Sequence, residues 1–172
     1  VLTLIGAQGV LAQSTLLKDI NCHEDISANE YSGLTAGAGK VYFINNKSEL
    51  WKTTGNEGGT VRVKAFSRID NLTHMGSVLF FTADDGRGME IWKSTGTPTS
   101  TVKVTNFSET GGGDPMWLTV VDNFLYFSAS TPAHGRELWR TDGTSGATTA
   151  LRHIQPGKRG SDPRYLTNVN GT

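Results

Sequence analysis

Apolar and polar residues alternate in short runs along this chain, and no segment has the sustained spacing of an amphipathic helix. The runs VYFIN (41–45), LFFTA (79–83) and LYFSA (125–129) are rich in aromatic and aliphatic residues, which is typical of strands. Gly, Asn, Asp and Ser separate the runs, and Asn-Gly at 170–171 is a strong hairpin signal. The pattern therefore predicts an all-β chain of short strands joined by tight turns.

The runs recur in a fixed order, so the chain contains an internal repeat. Each copy holds one Trp at the same place, and Trp51, Trp92 and Trp139 follow one another at intervals of 41 and 47 residues. A Leu-Thr run and an aromatic run precede each Trp, and a Thr nine residues after it opens a fourth run. Each copy predicts a four-stranded antiparallel meander, which suits a β-propeller blade. The predicted fold is a partial β-propeller of about three such blades plus one further strand.

The repeat also predicts the domain organisation. Residues 13–172 are predicted to form the partial propeller, and residues 1–12 to be the remnant of a secretory signal peptide, because this uncharged apolar stretch ends in small residues. A first buried strand is the alternative for residues 1–12. The predicted segments of the propeller are blade units at 30–66, 71–107 and 115–154, the start of a further blade at 163–172, and a candidate ring-closing outer strand at 15–20.

Three residue types recur in every copy and form the signature of the repeat. We expect the Trp to pack on a neighbouring blade, the Glu to accept hydrogen bonds from backbone or Thr of the adjoining unit, and the Gly to form a turn. The alternative is that Glu90 or Glu137 is a general acid or a metal ligand. Recurrence disfavours it, because a catalytic carboxylate needs one particular environment. The signature residues are Glu49, Trp51, Gly55, Glu90, Trp92, Gly96, Glu137, Trp139 and Gly143.

Composition excludes several functions. The formal net charge is +0 and charged residues make up 19% of the chain, so no basic surface for nucleic acid is predicted. No apolar run reaches the roughly 20 residues that span a bilayer. The single cysteine, Cys22, cannot form an internal disulfide. No catalytic residues and no cofactor are predicted, and Asp84 and Asp85 are the candidates for a calcium site.

The segment GRELWRTDGTSGATTALRHIQPGKRGSDPRYLTNVNGT (135–172) resembles the repeat of the ELWxxDGT family of secreted bacterial proteins, also described as hyalin-like. The second unit keeps FFTADDGRGMEIWKSTGT, whereas the first departs most, with NCHEDISANEYSG in place of the connector. The resemblance implies a β-propeller that is exported to the cell surface or the medium. It implies no established catalytic residues.

Two functions remain open on the sequence. The first is a secreted or cell-surface, non-catalytic propeller module that acts as a scaffold or binds an extracellular ligand, such as a glycan or a surface protein. The alternative is a propeller-type glycoside hydrolase or lyase whose catalytic residues lie mostly in other blades. Binding residues are expected in loops that vary between copies; the candidates are Met116, Trp117 and the TPAHG loop at 131–135.

Overall fold

The computed structural model describes residues 31–111, 113–144, 146–152 and 154–171. The predicted signal-peptide remnant at 1–12 and the predicted outer strand at 15–20 lie outside them. Strands dominate this part of the chain, and it contains no α-helix, only a 3₁₀ turn at Ser108–Thr110. The strands are β1 (Tyr31–Gly37), β2 (Lys40–Asn45), β3 (Glu49–Thr53), β4 (Val61–Ala65), β5 (Arg68–Met75), β6 (Val78–Asp84), β7 (Met89–Ser94), β8 (Val102–Lys103), β9 (Gly113–Val121), β10 (Phe124–Thr131), β11 (Gly135–Thr141) and β12 (Thr149–Ala150).

The strands form three four-stranded antiparallel sheets, and each sheet corresponds to one copy of the repeat. The order is β1-β2-β3-β4 in the first sheet, β5-β6-β7-β8 in the second and β9-β10-β11-β12 in the third. Each sheet is therefore a simple meander with neighbouring strands adjacent in sequence. For the described residues, the prediction of an all-β fold made of four-stranded antiparallel units is confirmed.

The first strand of each sheet begins earlier than the apolar pattern predicts. Each contains one residue with a left-handed backbone: Gly33 (φ 62), Asn71 (φ 57) and Trp117 (φ 59). The register with the second strand shifts at the same place in all three sheets. Such a bulge breaks the alternation of inward and outward side chains, so the pattern marks only the part of the strand that follows it.

The fourth strand of the second and third sheets is shorter than its predicted run, with β8 and β12 spanning two residues each. The cause in the second sheet is visible two residues beyond β8. Thr105 turns its hydroxyl to Glu90 instead of continuing the ladder, and Phe107 then packs on Trp139 of the next sheet. The end of the run therefore belongs to the connector between sheets.

The core lies between consecutive sheets. Leu50 of β3 and Trp92 of β7 belong to the apolar cluster between the first and second sheets. Ile91 of β7 and Trp139 of β11 belong to the cluster between the second and third. Since adjacent residues of a strand point to opposite faces, the middle sheet is buried on both sides.

The first strands of consecutive sheets lie side by side. The strand β1 contacts β5, and β5 contacts β9. The predicted start of a further blade at 163–172 contains no strand among its described residues, 163–171. This segment nevertheless runs along β9, where Thr119 Oγ1 donates to Leu166 O over 2.8 Å and Asn168 Nδ2 donates to Val120 O over 2.8 Å.

Candidate functional site

The repeated tryptophans of the second and third sheets fill the space next to the preceding sheet. The ring of Trp92 lies 5.1 Å from that of Phe66, and the ring of Trp139 lies 5.0 Å from that of Phe107, both edge to face. Each indole N–H also has a partner, because Trp92 Nε1 donates to Ala83 O and Trp139 Nε1 to Ala129 O, both over 3.2 Å. The tryptophans thus join neighbouring sheets.

Trp51 differs from the other two tryptophans because no sheet precedes it in the described part of the chain. Its Nε1 donates to Glu49 Oε2 over 2.9 Å, and its ring stacks on Phe43 at 6.3 Å. Glu49 also receives a hydrogen bond from Arg62 Nη1 at 2.7 Å. Burial by itself raises the pKa of Glu49, but these hydrogen bonds and the Arg62 charge outweigh it and hold the pKa below its usual value.

The glutamates of the second and third sheets are buried and hold the connector to the next unit. Glu90 Oε1 accepts from Ser108 N at 2.6 Å, and its Oε2 accepts from Thr105 Oγ1 at 2.5 Å. Glu137 Oε2 accepts from Ser161 Oγ at 2.6 Å and from Ile154 N at 3.3 Å. The donors belong to the end of the same unit and the following connector, whereas an adjoining unit was expected to supply them. Both carboxylates are therefore engaged in structural hydrogen bonds.

The three signature glycines occupy the turn between the third and fourth strands. Gly55, Gly96 and Gly143 have φ values of 90, 100 and 83, which favour glycine. Their amides donate to the hydroxyls of Thr53, Ser94 and Thr141 over 2.9–3.1 Å. The same turn in the third sheet is further ordered by the carboxylate of Asp142, which accepts from the backbone and hydroxyl of Thr144; these two hydrogen bonds lower the pKa of Asp142.

Asp84 and Asp85, the calcium candidates, contact protein groups. Asp84 Oδ1 accepts from the amides of Gly86 and Gly88 over 2.7 and 2.8 Å, and Asp85 forms an ion pair with Lys103 at 3.2 Å. No group of three or more His, Cys, Asp or Glu side chains that could hold a metal ion occurs among the described residues. The arrangement around Asp84 is that of a side chain closing its own loop.

A groove of about 650 Å³ lies between the second and third sheets, and it is the best candidate for a binding site. The TPAHG loop between β10 and β11 forms one wall with Thr131, Pro132, Ala133 and His134. The end of the second unit, Val104–Phe107, forms the opposite wall, and Trp139 and Thr148 also line the groove. We refer to this space as the Trp139 groove.

Two hydroxyl groups in the lining of the Trp139 groove have no hydrogen-bond partner. These are Thr131 Oγ1 and Thr148 Oγ1, and both atoms are buried. A buried hydroxyl without a partner costs stability.

Met116 and Trp117, the other candidates from the sequence, do not line the Trp139 groove. They lie at the bulge of β9, where the Trp117 ring is 4.4 Å from that of Tyr165. Met116 is 40% exposed and Tyr165 74% exposed. Trp117 and Tyr165 occupy the same repeat position, and both have left-handed backbones. The sequence predicted Met116, Trp117 and the TPAHG loop as binding candidates. In the structure only the TPAHG loop lines the Trp139 groove, and the other two residues lie elsewhere.

The sequence analysis missed the second wall of the groove. Asn106 and Phe107 are part of the repeated fourth run, and repetition argued for a purely structural role. One signal was present: at the position of Thr105 the first unit has Lys64, so this place in the repeat varies in size and charge.

No family model matches the sequence, and no curated protein is significantly similar to it. Among the described residues, no helix is both long and apolar enough to cross a bilayer.

Proposed function

We propose that this chain contributes three consecutive blades to a β-propeller of the ELWxxDGT-repeat kind, and that it acts as a secreted or cell-surface, non-catalytic module that binds an extracellular ligand. The observation that carries the binding role is the Trp139 groove, which lies between two sheets and beside a loop that varies between copies of the repeat.

The propeller geometry is supported by the way the sheets meet. Blades of a propeller radiate from an axis that their first strands line. Here β1, β5 and β9 lie side by side in succession, while an apolar cluster fills the space between each pair of sheets. The segment after the third sheet hydrogen-bonds to β9, as the first strand of a following blade would be placed.

The burial and the hydrogen bonds of the repeated carboxylates favour a binding role over a catalytic one. Glu90 and Glu137 are 0% and 1% exposed and accept hydrogen bonds from the end of their own unit and from the following connector. A general acid must be able to reach substrate. The groove instead carries aromatic, hydroxyl, amide and imidazole groups, which suit recognition of an uncharged or weakly hydrated ligand such as part of a glycan or of a surface protein.

Export is supported by the uncharged apolar stretch at residues 1–12 and by the motif ELWRTDGT at 137–144. Both belong to the sequence alone. Expression with residues 1–12 behind a start codon and basic residues is expected to direct the chain out of a bacterial cytoplasm with cleavage after Ala12. A precursor that stays in the cytoplasm and keeps its N-terminus would contradict this part of the proposal.

The binding role is tested with the purified 172-residue chain on an array of glycans and surface proteins, in parallel with a hydrolysis screen on the same glycans. Retention of a defined subset without any turnover is expected. Release of shortened glycans or unsaturated products would point to the enzyme alternative. Absence of retention on every member of the array would overturn the binding role.

A further inference from the structure

The equivalent tryptophans of the second and third sheets have different neighbours. The ring of Trp92 is covered by two lysines: Lys64 Nζ lies 4.5 Å from the ring centroid and Lys103 Nζ lies 5.5 Å from it. Both distances are within the range of cation–π attraction. The first interface between sheets therefore shows that the repeated Trp can hold an alkylammonium group supplied by the protein.

Neither lysine has a counterpart beside Trp139. Thr105 stands at the repeat position of Lys64, and its short side chain is hydrogen-bonded to Glu90. Ala150 stands at the position of Lys103, since Lys103 pairs with Trp92 and Ala150 pairs with Trp139 in the two sheets. No lysine or arginine is among the described residues that line the Trp139 groove. At Trp92 the lysines of the protein occupy the position over the indole ring. At Trp139 no lysine among the described residues occupies the equivalent position, so a ligand can take it.

The walls of the groove suit a cation without N–H groups. The rings of Phe107 and Trp139 meet at 79° with centroids 5.0 Å apart, and Pro132 adds an apolar surface. The two rings are in contact with each other, and the face of a Trp ring attracts quaternary ammonium groups. A primary ammonium has three N–H donors, and no carboxylate of the described lining residues can accept from them. A quaternary ammonium has none to satisfy and loses little hydration.

We infer that the Trp139 groove binds a quaternary ammonium compound of the choline type, with its cationic head against the ring of Trp139. This inference rests on the proposed binding role and names the ligand class. The head group takes the place that the Lys64 ammonium has at Trp92.

The test uses the 172-residue chain labelled with nitrogen-15 and follows the assigned indole N–H signals of its four tryptophans. Choline is titrated against 3,3-dimethyl-1-butanol, which has the same shape and no charge, and against Nα-acetyl-lysine amide, which offers a primary ammonium. Choline is expected to shift the Trp139 signal selectively. Affinity for the neutral alcohol is expected to be about fivefold or more weaker, the effect of roughly 1 kcal/mol of cation–π attraction. The lysine amide is also expected to bind more weakly than choline.

A pair of variants on β12 provides a matched control. Ala150→Lys places a lysine beside Trp139 as Lys103 is placed beside Trp92, and it is expected to weaken choline binding at least about fivefold. Thr149→Lys adds the same charge one residue away, on the opposite face of the strand, and is expected to bind choline as the parent chain does. The dispersion of the indole signals reports whether each variant is folded.

Three results would overturn the inference: no shift of the Trp139 signal with choline, equal affinity for the neutral alcohol, or undiminished choline binding by folded Ala150→Lys. The parent-chain titrations decide the matter even if that variant fails to fold. Retention on the array without a choline response would reject only the ligand class. A choline response in a chain that also hydrolyses glycans would reject only the non-catalytic role.

Discussion

At the scale of single residues, the glycine of the turn between the third and fourth strands has two separate functions. One is the left-handed backbone, which Gly55, Gly96 and Gly143 share. The other is space for the preceding sheet: a Cβ on Gly143 would lie 2.5 Å from Phe80 Cζ, and one on Gly96 would lie 2.6 Å from Tyr42 Oη. Nothing lies within 4 Å of the same point on Gly55.

Substitution of these glycines separates the two functions. Gly55→Ala is expected to lower the free energy of unfolding by about 1–2 kcal/mol through the left-handed backbone alone. Gly143→Ala is expected to cost about 2–4 kcal/mol, because the added methyl also displaces the Phe80 ring. Urea unfolding of both variants measures the difference. Equal losses would show that contact with the preceding sheet contributes nothing at this turn.

His74 is a partly buried residue with buried ring nitrogens, and it carries a pH dependence. Its ring lies between the first two sheets, against the backbone of Gly37 and 5.5 Å from the Tyr42 ring, and both ring nitrogens lack a hydrogen-bond partner. Burial lowers the pKa of His74 below its ordinary value of about 6.5, and the charge of Lys40 lowers it further. The folded protein therefore favours the neutral imidazole.

The stability of the chain is expected to fall on mild acidification because of His74. The unfolded state takes up its proton as the pH drops through about 6.5, before the folded state does, so the free energy of unfolding decreases from there down to the lowered pKa. His74→Val, which places the side chain of Val120 at this repeat position, is expected to flatten the curve between about pH 7 and pH 5. Urea unfolding across this range measures both chains. Parallel curves would assign the pH dependence to other groups.

At the scale of elements, the buried glutamate fastens the connector to the third strand. Glu90 holds Thr105 and Ser108, which lie on either side of Phe107, and Phe107 packs on Trp139 of the next sheet. The hydrogen bonds of Glu90 thus fix the position of the Phe107 ring at the interface between the second and third sheets. Glu49 occupies the same repeat position but bonds to Trp51 and Arg62 near the surface.

Removal of these two carboxylates is expected to have unequal effects. Glu90→Ala leaves the buried hydroxyl of Thr105 and the partly buried amide of Ser108 without their acceptor. It is expected to cost about 2–4 kcal/mol of unfolding free energy. Glu49→Ala removes a partly exposed ion pair and is expected to cost about 1 kcal/mol or less. Chemical denaturation of the two variants measures this. A Glu90 variant as stable as the Glu49 variant would show that the hydrogen bonds of Glu90 do not hold the connector in place.

At the scale of the whole molecule, the second sheet is the only one of the three that is covered by another described sheet on both faces. Leu79, Phe81 and Trp92 belong to the cluster with the first sheet, and Phe80 and Ile91 to the cluster with the third. The free energy needed to expose its amides should therefore be the highest among the three described sheets.

Hydrogen exchange measures this directly. The amides of β6 and β7 are expected to exchange more slowly than those of β10 and β11, although the residue types and the hydrogen-bond pattern of the two hairpins are alike. Because the hairpins are matched in sequence, the comparison isolates the effect of the second neighbour. Faster exchange in β6 and β7 would contradict stacking of the sheets in the order first, second, third.

The sequence by itself determined the strand content, the length of the repeat and the four-stranded units. The reason is local: an aromatic run, a Leu-Thr run and a Gly turn each have a backbone preference that does not depend on distant residues. The same local rules could not predict the bulge at Gly33, Asn71 and Trp117 or the early end of β8. A register shift depends on pairing with the neighbouring strand, and the end of β8 depends on contacts with residues outside that strand.

Only the tertiary structure decided which residues meet at the candidate site. The TPAHG loop could be picked out because it departs from the repeat, but its opposite wall, Asn106 and Phe107, comes from a different unit about 25 residues earlier. Whether a given Trp is covered or open depends on residues of the preceding sheet and of the neighbouring strand, Lys64 and Lys103 at Trp92 against Thr105 and Ala150 at Trp139. Lys64 and Thr105 belong to the preceding unit, and packing of one sheet on the next brings them to the Trp. Lys103 and Ala150 reach it through pairing of the third and fourth strands of the same sheet.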